Sequence, residues 1–175
     1  YAYSDPNVPD SMNAINYATF YNYTIFNRSS ETYSNVFISN WSDVDVGYYL
    51  DDYIGTDTIN NFAYGYNGKP NDPPAFGLNG YGKKPPVISH CIIRTPCSTD
   101  GVDNNHNGLI DEPGEQFVMD RATYFNNSVY PFPSAITVPT SAINYYGYMS
   151  GKWKDGTPFT EGGNGYGGIK PTHYV

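Results

Sequence analysis

From residue 17 onward, apolar and polar positions alternate over short runs. YATFYNYTIF at 17–26 carries aromatic and β-branched residues at the two-residue period of an extended chain, NRSSE supplies a turn, and NVFISNW at 35–41 runs back. That is the pattern of a β-hairpin. NNFAYGYN at 60–67 predicts a third strand, and the apolar stretch at 87–93 within PPVISHCIIR a fourth. Between them, 68–86 holds five Pro and four Gly, which excludes regular structure there. QFVMDRATYFNN at 116–127 fits either a bulged strand or a short helix.

One segment has a helical period. After Pro139, Thr140 or Ser141 can cap, and Ile143, Tyr146 and Met149 follow at spacings of three. Gly147 and Gly151 keep this helix short, near 140–150. Residues 1–16, rich in Asn, Asp and Pro, read as an extended lead-in, and 17–175 as a single β-rich domain, expected to be part of a longer protein.

Composition supports strands and loops. Aromatic residues make up 17% of the chain, with 19 Tyr, against 15% charged residues. A net charge of −8 and a pI near 4.5 argue against nucleic acid and against electrostatic attachment to anionic membranes. No apolar run is long enough for membrane insertion by a spanning helix.

The acidic residues are concentrated in two windows. Asp43, Asp45, Asp51, Asp52 and Asp57 fall in one; Asp100, Asp103, Asp111, Glu112 and Glu115 fall in the other. Like charges at this density raise one another's pKa unless a cation sits among them. In the second window, DGVDNNHNGLIDE, the spacing is that of a calcium loop. Counted from Asp103, oxygen ligands stand at Asp103, Asn105, Asn107, the Leu109 carbonyl and Asp111, with Gly108 at the sharp turn. Gly114 occupies the twelfth position, where an EF-hand has its bidentate Glu, so Glu112 or Glu115 must substitute, or another segment closes the site. His106 lies at a variable position and is not read as a ligand. The first window departs from that spacing, but its oxygen-only groups suit a hard ion, and calcium is the expected cofactor of both. The fold class expected is therefore mainly β: a β-sandwich-like domain with long calcium-stabilised loops and one short helix.

Cys91 and Cys97, in CIIRTPC, suit a small disulfide loop bent by Pro96 in an oxidising compartment. Catalytic signatures are missing. There is no H-E-x-x-H and no G-x-S-x-G, and His90, His106 and His173 are scattered.

The run CSTDGVDNNHNGLID at 97–111 resembles the calcium repeats of thrombospondin type 3 and similar modules of bacterial surface proteins, a resemblance that implies Asp100 as a further ligand. More broadly, NWSDVDVGYYLDDYIGTD, FAYGYNG, PPAFG and YMSGKWKDGTPFTEGGNGYGG, in that order, resemble a module of large secreted Bacteroidota proteins exported by the type IX system. The likeness covers roughly residues 22–172. It implies a secreted, cell-surface location and a metal-binding role for Asp43, Asp45, Asp51, Asp52 and Asp57. It also redirects glycosylation from N-x-S/T sequons to D-S/T-apolar motifs, of which Ser11 and Thr58 are the acceptors.

The function expected is a non-catalytic, calcium-stabilised extracellular surface or filament module with an adhesive or structural role. Its partners would be glycans or neighbouring copies of itself. The alternatives are a secreted hydrolase acting on polysaccharide or protein, and a carbohydrate-binding module that stacks sugars on Trp41, Trp153 and surface Tyr.

Overall fold

The computed structural model describes residues 7, 9, 14–93, 95, 99–103, 106–113, 115, 119–127 and 131–175. The chain divides into two compact units, Tyr1–Val36 and Phe37–Val175. Among the described residues the fold is mainly β, with small antiparallel sheets and one short helix.

In the second unit, β1 (Asp52–Asp57) and β2 (Phe62–Asn67) form a hairpin, and β5 (Val87–Cys91) pairs with the far edge of β2. The hairpin turns because the Asp57 carboxylate accepts from the Ile59 and Asn60 amides, both at 3.0 Å, while Asn61 takes the left-handed conformation that Asn tolerates. Alternation along β2 splits its residues between two faces. Phe62, Tyr64 and Tyr66 form an aromatic row at 5.7 Å spacings on one face, continued across the hairpin by Tyr53 at 6.1 Å from Tyr66. The Tyr64 ring lies over Gly55, where a Cβ would stand 2.4 Å from Cζ. On the opposite face Val44 lies against Gly65, so the 44–46 stretch crosses that side of the sheet.

β3 (Asn71–Asp72) and β4 (Gly82–Lys83) form a two-residue ribbon inside the Pro/Gly-rich stretch that was expected to be irregular throughout. The helix, α1 (Ala142–Met149), forms where its period places it. Ser141 caps it, with Oγ accepting from the Asn144 amide at 3.3 Å.

The apolar core lies beside α1 and consists of Ala135, Ile136, Tyr148, Trp153 and Phe159, with Tyr124, Phe125, Tyr166 and Val175 packed against it. Trp153 and Phe159 approach to 4.6 Å between ring centroids, and Trp153 Nε1 donates to the Gly165 carbonyl at 2.9 Å. Trp153 is therefore a core residue and unavailable as a sugar platform. Residues 119–127 form neither the strand nor the helix considered for 116–127. They are held by isolated bridges, Ala122 to Tyr174 and Asn126 to Thr137.

The hairpin expected at 17–41 does not form. Ala14–Tyr17 is a 3-10 turn, and 20–28 adopts no strand. Alternation specifies two faces but does not choose what covers them. For 37–41 that cover is the helix and the rim of the core. Phe37 packs edge-on to Tyr146 at 5.5 Å, the Ser39 hydroxyl meets Met149 Sδ at 3.3 Å, and Trp41 stacks on Phe125 at 6.5 Å. The period of two is real, and the partners are α1 and the core rim instead of a strand. Among the described residues, no helix is long and apolar enough to cross a membrane.

Candidate metal centre

The first acidic window does not form one loop. Asp51 ends a 3-10 turn (Tyr49–Asp51), Asp52 opens β1, and Asp57 closes it. Five strand steps put Asp52 and Asp57 about 16 Å apart. Both Asp57 oxygens serve the hairpin turn, Oδ2 accepting from Asn60 Nδ2 at 2.8 Å. That side-chain donor, with the Asn60 and Ile59 amides, holds the Asp57 carboxyl below its ordinary range. The structure thus separates Asp57 from Asp51 and Asp52. Asp43 and Asp45 are exposed, with Asp45 close enough to add repulsion at Asp52.

At the other end of β1, several oxygen-bearing side chains converge. Asp52 Oδ2 accepts from the Val46 amide at 2.7 Å, while its Oδ1 is buried without a donor. Burial raises the Asp52 pKa; the Val46 hydrogen bond opposes this, and Asp51, Asp45 and Asp72 reinforce it. Asp51, whose side chain is 12% exposed, has Oδ2 3.2 Å from Lys69 Nζ and Oδ1 buried without a hydrogen-bond partner. Asn67 stands directly opposite Asp52 in the hairpin register and is 7% exposed. Its Nδ2 donates to the Lys69 carbonyl at 2.8 Å, leaving Oδ1 buried without a donor.

Two residues that sequence reasoning missed complete this region. Asp72, fully buried, accepts from the Tyr48 amide at 3.3 Å and the Tyr81 amide at 2.7 Å, tying the 46–48 bend, β3 and the approach to β4 together. Asp72 sits in N-D-P-P, inside what reads as an unstructured stretch, and Asn67 looks like any polar strand end. An Asp between Asn and two Pro is a turn signal, but nothing in the pattern marks it as buried.

The second window is a loop that folds on its own carboxylates. Asp103 accepts from the Asn107 amide at 3.1 Å and the Gly108 amide at 2.8 Å. Those amides, that of Gly108 foremost, lower its pKa. Asp111 Oδ1 accepts from the Asp100 and Gly101 amides at 2.9 and 3.1 Å. Asn107 Oδ1 accepts from the Leu109 amide at 2.9 Å, and its Nδ2 donates to Glu112 Oε1 at 2.6 Å. Gly108 has φ +93°, which suits the sharp turn expected of it. Glu115 is buried. Asn105, Cys97 and Ser11 lie outside the described residues, and with them the expected Asn105 ligand, the Cys91–Cys97 bridge and one glycosylation acceptor. Thr58 is exposed at the hairpin turn.

Among the described residues, no group of three or more His, Cys, Asp or Glu side chains is placed to hold a metal ion. A cation at either window would therefore need amide or backbone oxygens as well as carboxylates, a ligand mixture that calcium accepts. His90 and Cys91 are strand neighbours and project to opposite faces, which rules them out as an adjacent base and nucleophile. His90 Nδ1 pairs instead with Asn40 Nδ2 at 2.9 Å. Comparison with protein-family models, with curated proteins and with solved structures finds no match to this chain.

Proposed function

We propose that this chain is a non-catalytic, calcium-stabilised, sandwich-like module of an extracellular surface or filament protein. It would be of the secreted, surface-displayed Bacteroidota kind that its sequence resembles, with an adhesive or structural role. The observation that carries this reading is the 100–112 loop, in which Asp103 gathers the Asn107 and Gly108 amides and Asp111 those of Asp100 and Gly101. Asp111 Oδ1 spends both lone pairs on the Asp100 and Gly101 amides, whereas Asp103 Oδ2, accepting from Gly108, keeps a second lone-pair direction for a cation. The spacing of Asp103, Asn107, the Leu109 carbonyl and Asp111 supplies oxygens at the positions such an ion uses. Asp100 and Glu112 flank them in the same loop.

A structural role suits how the rest of the protein is held. Its apolar core is small, and much of the loop structure hangs on carboxylate-to-amide hydrogen bonds. Trp41, 65% exposed and stacked nearly parallel on Phe125, offers a contact for a glycan and supports carbohydrate binding as the second reading.

Thermal unfolding in EDTA and in millimolar calcium tests the first reading. Extracellular calcium modules bind at about 10⁻⁴ to 10⁻³ M, and a ligand at ten times its Kd stabilises by about 1.4 kcal/mol. The expected result is a melting temperature several degrees higher in calcium, with the gain reduced by Asp103→Ala. Equal melting in both media, with no calcium in the purified protein, would overturn the reading.

A further inference from the structure

We propose that a second, separately built calcium site lies where the 3-10 turn Tyr49–Asp51 meets the paired ends of β1 and β2, with Asp51, Asp52 and Asn67 as its side-chain ligands. The choice of ion rests on the calcium reading above, whereas the site itself stands on the geometry at this strand end. Three oxygens there, Asp51 Oδ1, Asp52 Oδ1 and Asn67 Oδ1, are buried and receive no hydrogen bond. Buried acceptors left without donors are uncommon in folded proteins because each forfeits its hydration without compensation.

Asn67 is the decisive member. It is more than nine-tenths buried, and the bond from its Nδ2 to the Lys69 carbonyl fixes which way the amide points. Turning the amide over would set oxygen against oxygen, so the unpartnered atom is the carbonyl. The register places Asp52 directly opposite Asn67, and Asp51 precedes Asp52. The Asp51 carbonyl is also committed to the strand end, accepting from the Gly68 amide at 2.8 Å.

The chemistry of the set names its ligand class. Two carboxylates and an amide carbonyl make an acceptor-only, oxygen-only site, which suits a hard divalent cation and offers zinc neither nitrogen nor sulfur. Calcium fits better than magnesium, because it tolerates irregular geometry and completes its shell with water and carbonyl oxygens. The nearby cation of the protein is the Lys69 ammonium, 68% exposed and 3.2 Å from Asp51 Oδ2. It screens one edge of the site and competes with a metal for Asp51.

The test isolates this site from the 100–112 loop. In the full chain carrying Asp103→Ala and Asp111→Ala, terbium(III) is titrated and its tyrosine-sensitised emission recorded, with Tyr53 and Tyr66 paired beside the site; calcium is then added as competitor. Saturable emission displaced by calcium is expected. Asp51→Asn should weaken it at least tenfold, and Lys69→Met should strengthen it. Emission in the unaltered protein that disappears in the double variant would overturn this site and leave the proposed function standing. Emission in neither would overturn both.

Asn67→Asp provides an independent readout with the 100–112 loop intact. A third carboxylate should lower the melting temperature in EDTA, and calcium should then raise it by more than it raises that of the unaltered protein. A calcium gain no larger than that of the unaltered protein would sink the proposal.

Discussion

Asp72 and Gly47 are in such close apposition that a Cβ on Gly47 would stand 1.9 Å from Asp72 Oδ2. Gly47 also has φ +73°, so the bend is available only to a residue without a side chain. Gly47→Ala is therefore expected to cost about 1–3 kcal/mol from the backbone alone, and more from the displaced carboxylate. Asp72→Ala should be of comparable severity, since it strips the Tyr48 and Tyr81 amides of their acceptor. Urea unfolding of the two variants checks both, and a change within experimental error in either would contradict the arrangement.

The apolar core makes a sharper demand. Phe159 is fully buried against Trp153 and Tyr148. Phe159→Ala should destabilise by about 3–5 kcal/mol through lost burial and the cavity left behind. Phe132→Ala, at a partly exposed ring outside the core, should cost far less. Equal losses for the two would mean that the core lies elsewhere.

Alkaline pH should unfold the protein in part through Tyr148. Burial, with repulsion from Asp155 and Tyr124, pushes its pKa from 10.0 up to about 12. Its hydroxyl donates to the Ala135 and Thr137 carbonyls at 3.0 and 2.8 Å. Because the folded pKa lies above the unfolded one, the stability this phenol contributes is complete below pH 10 and lost as pH climbs through 12. Tyr148→Phe should lower stability at neutral pH and flatten the alkaline decline by about one proton's worth. Melting temperatures from pH 8 upward measure both effects.

Asp57 should behave differently from its neighbours in sequence. Its oxygens hold the hairpin turn at the far end of β1 from Asp52. Asp57→Ala is expected to lower the melting temperature by the same amount in EDTA as in calcium. A loss confined to calcium-containing buffer would place Asp57 among the ligands after all. Its depressed pKa also gives the turn an acid limit: the contribution is present above the ordinary carboxylate range and fades as pH falls through the lowered value.

How far the sequence could be read follows from which forces act locally. The helix was legible because a cap, a three-residue spacing and a terminal Gly are properties of one short segment, and Ala142–Met149 obeys them. β2 and β5 were legible as strands from their composition, although every residue of β5 is exposed. The 35–41 run shows where such reading stops. Its alternation was correct, but only the tertiary structure could assign Phe37 and Ser39 to a helix surface and Trp41 to the rim of the core. The same holds for the candidate metal sites. The 100–112 spacing is a local signal, whereas Asn67 joins Asp51 and Asp52 only through strand register, which no single segment encodes.

The run from Phe37 to Tyr48 contains no helix or strand, yet it visits α1 through Phe37 and Ser39, the core rim through Trp41, β5 through Asn40, β1 through Val46 and β3 through Tyr48. It acts as a suture between a sheet with few buried apolar residues and a core that holds most of them. Much of the cooperativity of unfolding therefore resides in a stretch with no regular structure of its own. A single proteolytic nick there should weaken the coupling of sheet to core and broaden the unfolding transition.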